Sequence, residues 1–379
     1  MKRPVHLRPV LEYAFPVVLL ALLGVPRIRS MLFAHELRWL YLALGAFGFA
    51  HLATPVCRWI ALRLGIVDMP GGRKVHVHPT PFLGGLAIYA AFAVVVVVNF
   101  YFSVELKGVA LGATLILIVG LIDDVRELPA LWKLIAQIAA VLILIKYHVV
   151  LTFLPDVWWG YVGEWVITML WVLGITNAMN FLDGLDGLAS GVSAICALFF
   201  GLAAVQTGQE FMMFLSMALL GSCLGFLPHN FWPRRPARIF LGDTGATFLG
   251  FTLAGIGIMG EWATNNLAAL AVPLIILGVP IFDTTLTSVM RIKNGHVSTF
   301  NEWLSFTGQD HFHHRLVQLG ITKGAAVLII YGLSGYLGLS SLLLRDARGL
   351  DALIMVAQVF VVFTLIGSFV TTRKTSGGG

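Results

Sequence analysis

Charge is what this sequence lacks most. Asp, Glu, Lys and Arg make up 12% of its 379 residues, while 58% are hydrophobic and the mean hydropathy is +0.88. Soluble domains carry about 25% charge, so an ordinary water-soluble enzyme and a disordered chain are both excluded. Cysteine is scarce as well. Cys57, Cys196 and Cys223 are odd in number, far apart and set in apolar runs, which excludes a disulfide framework and a cysteine metal knuckle. The net charge of +6 comes without a basic run interleaved with aromatics, so no nucleic acid is expected as a partner. The apolar stretches are also too long for barrel strands, which alternate over about ten residues. What is abundant is long apolar runs, and these leave one class: an all-α polytopic membrane protein whose solvent is the lipid bilayer.

A spanning helix needs about 20 mostly apolar residues. Candidates follow one another near 10–26, 37–60, 82–102, 108–122, 131–149, 160–178, 188–207, 210–228, 245–260, 266–290, 323–344 and 351–371. They predict 11–12 transmembrane helices, because the short 10–26 run with Pro16 inside it either spans or lies in the interface. The organisation read from this is an N-terminal extension (1–36), one membrane-embedded domain (37–372) and a disordered tail (373–379). If residue 1 is cytoplasmic and the spans alternate, most of the 25 Lys and Arg fall on one side, which the positive-inside rule makes cytoplasmic.

The few acids gather on that same face. Asp123 and Asp124 close the run Leu115–Ile122, and adjacent carboxylates repel unless a cation or proton sits between them. Asp183 and Asp186, within Asn180-Phe-Leu-Asp-Gly-Leu-Asp-Gly187, stand i, i+3, which predicts both on one face of a helix start. Asp243 sits between two glycines in Phe240-Leu-Gly-Asp-Thr-Gly245, ahead of a span, where helix capping and a functional role are equally good readings. Carboxylates near hydrocarbon are functional candidates by default, and an all-oxygen cluster without cysteine suits Mg²⁺, or Mn²⁺ in its place.

Two loops on this face carry the opposite charge. Arg73-Lys74-Val-His76-Val-His78 is one, and Asp310-His311-Phe-His313-His314-Arg315 is the other. Histidine clusters also suit Zn²⁺, but no cysteine lies near and Arg315 would repel a metal, so phosphate binding is the better reading. Lys133 either reaches a phosphate or anchors the end of its span by snorkelling. Asp283, in Val279-Pro-Ile-Phe-Asp-Thr284, reads most simply as helix packing or a buried hydrogen bond.

Taken together, several motifs resemble the polyprenyl-phosphate N-acetylhexosamine-1-phosphate transferases. They are Pro70-Gly-Gly-Arg-Lys-Val-His76, Asp123-Asp-Val-Arg-Glu127, Asn177-Ala-Met-Asn-Phe-Leu-Asp-Gly-Leu-Asp-Gly187, Asn230-Phe231, Pro236-Ala-Arg-Ile-Phe-Leu-Gly-Asp-Thr-Gly245 and His311-Phe-His-His314. This is the membrane group of WecA, TagO and MraY, and the last motif favours the WecA/TagO branch over MraY.

The resemblance implies an enzyme of the bacterial inner (plasma) membrane with a cytoplasmic active site. It would transfer N-acetylhexosamine 1-phosphate, most simply GlcNAc-1-phosphate, from a UDP-N-acetylhexosamine to undecaprenyl phosphate, releasing UMP. It further implies Asp243 as a direct Mg²⁺ ligand, with Asp124 sharing the ion or lying behind it. Asp123 would deprotonate or orient the lipid phosphate. Asp183 and Asp186 would organise the nucleotide end, with Phe240 near the uracil and Asn230 near the diphosphate. His311, His313, His314 and Arg315 would hold sugar and phosphates, and Lys74, His76, Lys133 and Asn180 complete the expected substrate contacts. Direct in-line attack by the lipid phosphate is preferred to a covalent aspartyl intermediate. A different UDP-N-acetylamino sugar is the near alternative, and UDP-MurNAc-pentapeptide a more distant one. A homodimer is compatible with all of this. A transporter is the rival outside enzymes, weakened because the acids lie at one interface rather than at midplane.

Overall fold

Long apolar runs with few interior breakers fold as helices because lipid offers the backbone no hydrogen-bond partners. The computed structural model describes residues 7–69, 79–99, 102–232, 235–295, 297, 299, 308 and 310–372. The helices are α1 (Leu7–Leu23), α2 (Pro26–Ala34), α3 (Arg38–Leu64), α4 (Gly84–Asn99), α5 (Val104–Val125), α6 (Ala130–Lys146), α7 (Trp158–Leu182) and α8 (Leu188–Gln206). They continue with α9 (Glu210–Asn230), α10 (Gly242–Met259), α11 (Asn266–Ile276), α12 (Gly278–Lys293), α13 (Phe312–Gln318), α14 (Lys323–Ser341) and α15 (Gly349–Thr372). Two-residue strands, Val67–Asp68 and Thr80–Pro81, pair antiparallel.

Each predicted apolar run lies on helix, but the runs do not all make straight spans. Among the described residues seven helices are long and apolar enough to cross a membrane, or up to nine if two bent pairs each count as one. The first bent pair breaks by 75° between α1 and α2, where Pro26 starts a new helix. The second bends the run expected to span over 266–290: α11 and α12 meet at 74°, with Gly278 and Pro280 opening α12. The 82–102 run is also shorter than expected, a helix of 16 residues.

At the centre of the bundle, α3 packs along α9, α9 along α8, and α10 runs against α5 and α7. Small residues permit the closest approaches. A methyl group on Gly85 would strike the Gly245 backbone, and one on Gly120 would meet Thr244 Cα at 2.7 Å. The amino ends of α4 and α10 therefore meet beside the carboxyl end of α5. Backbone bonds secure this junction, Gly84 N to Phe240 O at 3.0 Å and Gly85 N to Leu241 O at 2.9 Å. The three cysteines are buried and unbridged.

Candidate active site

Beside this junction the carboxyl end of α5 and the amino ends of α6 and α10 each deliver a charged side chain. From α6, Lys133 Nζ lies 3.0 Å from Asp243 Oδ2 and also pairs with Asp123 Oδ2. Lys133 thus bridges two carboxylates from α5 and α10 instead of turning out as an anchor. An open pocket here is lined by Gly120, Asp123, Lys133, Gln137, Asp243 and Thr247, among others. Asp123 also receives the Leu128 N–H at 2.7 Å, which fixes its carboxylate as the chain leaves α5.

Asp124 has a different task. Its Oδ1 accepts the Asp243 N–H at 2.9 Å, and its Oδ2 accepts the Thr244 N–H at 3.2 Å and the Thr244 hydroxyl at 2.5 Å. A carboxylate against free amides at a helix amino end satisfies the orphan donors and meets the positive end of the helix dipole. The cap of α10 is therefore supplied by α5, and Asp243 itself is left facing the pocket. Gly242 makes room for this: its φ is +77°, and a methyl group there would stand 2.5 Å from Asp124 Oδ2. Asp124, expected to share the ion or lie behind it, has both oxygens bonded to the α10 backbone and lies behind Asp243.

The helix-start reading of Asp183 and Asp186 is corrected. They occupy the turn between α7 and α8, with Asp183 as the C-cap residue of α7 and Gly187 left-handed at φ +77°. Burial, and then the charges of Asp243, Asp124 and Asp186, push Asp183 well above the ordinary carboxylate range. Asp186 is a brace: its Oδ2 accepts the Ala237 N–H at 3.0 Å and steadies the loop before Phe240. Asn230, expected at a diphosphate, is buried and spends its amide on the protein. Its Oδ1 accepts the Gly187 N–H at 2.8 Å and its Nδ2 donates to Ile239 O at 2.9 Å. Asn180 faces the Asp243 carboxylate, and Phe240 lies half-buried with its ring 6.1 Å from that of Phe82.

The histidine segment reaches the same turn. A methyl group on Gly184 would strike His313 Nε2, so the imidazole lies directly on the backbone between Asp183 and Asp186. His313 is fully buried, neither ring nitrogen is hydrogen-bonded among the described residues, and burial lowers its pKa to about 3. His314, 4.2 Å away between ring centroids, is also lowered, by burial first and then by His311. Arg315 donates from Nε to Asp310 O at 2.6 Å, closing the segment on itself.

Residues 106–261 match the model of glycosyl transferase family 4. The chain is 34% identical over 321 residues to the probable undecaprenyl-phosphate N-acetylglucosaminyl 1-phosphate transferase of Bacillus subtilis (strain 168), covering 83% of this chain and 86% of that one. It is 34% identical over 355 residues to the decaprenyl-phosphate N-acetylglucosaminephosphotransferase of Mycolicibacterium smegmatis, covering 83% and 85%. The chain belongs to this transferase family.

Three residues beside the candidate site were not singled out by sequence, or only weakly. Asp283 is fully buried and bonded to His311 and to the Phe312 amide. Arg291, 4% exposed, grips Asp310 through Nε and Nη2, both at 2.7 Å. Thr287 lies between them. Their i, i+4, i+8 spacing along α12 was the available signal. Burial alone would raise the Asp310 carboxyl, but the Arg291 bonds and charge hold it below the usual range. Lys74 and His76 lie outside the described residues.

Proposed function

We propose that this membrane enzyme transfers GlcNAc-1-phosphate from UDP-GlcNAc to undecaprenyl phosphate, at a site on the cytoplasmic face of the bacterial inner membrane. The observation that carries the reading is the bridge Asp123–Lys133–Asp243 at the mouth of three helices. The names of the curated relatives support the sugar and the polyprenyl acceptor.

Two anionic phosphates must meet here, so the site's task is positioning and charge stabilisation. An oxygen of the lipid phosphate attacks the β-phosphorus of the sugar nucleotide, the bond to UMP breaks, and a lipid-diphosphate sugar forms. Asp123, fixed by Leu128 N–H, orients the incoming lipid phosphate. Lys133 supplies the positive charge between the carboxylates and the phosphates. The turn carrying Asp183, braced through Asp186 and Asn230, seats the nucleotide.

The donor set fits Mg²⁺. It is all oxygen, and like charges crowd Asp183, the condition a divalent ion relieves. Asp243 would hold the ion, with Asp123 and Asp183 facing it and Asp124 steadying Asp243 from behind. Among the described residues no three His, Cys, Asp or Glu side chains form a metal cage, so substrate phosphates and water would complete the shell. When bound, Mg²⁺ supplies neutralisation of the diphosphate charge. Incubating the purified chain with labelled UDP-GlcNAc, undecaprenyl phosphate and Mg²⁺ should yield a lipid-extractable labelled product. No turnover with any UDP-N-acetylhexosamine would sink the proposal.

A further inference from the structure

Along α12, Asp283, Thr287 and Arg291 all meet the segment that carries the histidines. Asp283 has no exposed surface, and among the described residues its carboxylate contacts His311, the Phe312 amide and His313, all in that segment. His311 Nδ1 lies 3.1 Å from Asp283 Oδ2, and Thr287 Oγ1 is 3.4 Å from the same nitrogen. Phe312 N–H, the first amide of α13, donates to Asp283 Oδ1 at 2.5 Å. The His311 ring lies against Phe181, with centroids 5.3 Å apart, two residues before Asp183. It also stacks at 5.9 Å on His313, which rests on Gly184.

An ionised carboxylate can only accept hydrogen bonds, so the imidazole nitrogen facing it carries the hydrogen. Which nitrogen is protonated is set by the bond the other atom makes. We infer that Asp283 is a positioning residue for the transfer reaction. It locks His311 in the Nδ1–H form and holds the amino end of α13, so that Nε2 is presented to the substrates as a hydrogen-bond acceptor, for a hydroxyl or amide N–H of the sugar. The Arg291–Asp310 pair clamps the segment one residue earlier, and the two holds together fix the ring's direction. This inference rests on the proposed transferase reaction for its consequence, though not for its geometry.

The test uses the full-length chain in detergent or nanodiscs. The ¹⁵N imidazole spectrum of the wild-type protein should show His311 protonated at Nδ1. In Asp283→Asn, with Oδ1 kept for Phe312, the amide NH₂ faces the ring, and the proton should move to Nε2. Partners that orient a metal-bound imidazole carry about 10–100-fold of activity, and a kcat loss of the same order is expected here, with a smaller change in the KM for the sugar nucleotide. Asp283→Glu should recover part of it. In a His311→Gln background, Asp283→Asn should cost little more. An Nε2–H tautomer in the wild-type protein, or losses that simply multiply in the double variant, would overturn the inference. A wild-type chain inactive with every UDP-N-acetylhexosamine would instead contradict the proposed reaction, leaving the tautomer result to decide the positioning claim.

Discussion

The Asp124 carboxylate accepts the backbone N–H of Asp243 at 2.9 Å, tying the carboxyl end of α5 to the amino end of α10. Adjacent carboxylates thereby acquire opposite roles: Asp123 faces Lys133 in the pocket, and Asp124 holds the helix that presents Asp243.

Asp124→Asn should consequently lose both stability and rate. One amide oxygen can accept, but the NH₂ group then faces backbone donors. Loss of a helix cap costs about 0.5–2 kcal/mol, seen as a lower melting temperature in detergent. Asp243→Asn should keep the melting temperature near wild type and abolish turnover. Equal melting temperatures for the two variants would remove the capping role from Asp124.

Lys133→Met leaves Asp123 and Asp243 without their shared cation. Losing one preorganised donor of this kind costs about 100-fold or more in kcat. Steady-state UMP release measures it. A variant within a few-fold of wild type would return Lys133 to the role of a span anchor.

His313 gives the pH prediction. Its folded pKa is depressed to about 3 by burial, against about 6.5 for a free imidazole. The unfolded chain therefore takes up a proton that the folded one refuses. The stability His313 contributes is complete above about pH 6.5 and is lost progressively as pH falls towards 3. Melting temperatures of the wild-type protein should drop more steeply between pH 7 and pH 5 than those of His313→Gln. Parallel slopes would contradict a buried neutral imidazole.

Much of this was legible in the sequence, and the remainder was not for identifiable reasons. Apolar runs marked the helices because lipid demands them, and the acidic motifs marked Asp123, Asp183 and Asp243. The bend between α11 and α12 was hidden because hydropathy records composition, not direction. The turn at Asp183–Asp186 looked like a helix start because i, i+3 spacing fits a helix, whereas α7 ends at Leu182 and α8 begins only after the left-handed Gly187. Asp283 read as packing because its partner His311 lies 28 residues away and meets it through tertiary structure. Asn230 was expected near the diphosphate and Asp186 at the nucleotide end, and the contacts the sequence could not show are Asn230 to Gly187 and Ile239 and Asp186 to the Ala237 N–H, which brace the loops around the site.

The central claim is that this site moves a phosphosugar rather than a sugar alone, and the nucleotide product distinguishes the two. With UDP-GlcNAc, undecaprenyl phosphate and Mg²⁺, the purified enzyme should release UMP in equal amount to the lipid-linked product, and Asp243→Asn should release none. Release of UDP in place of UMP, or UMP release that persists in Asp243→Asn, would contradict the account.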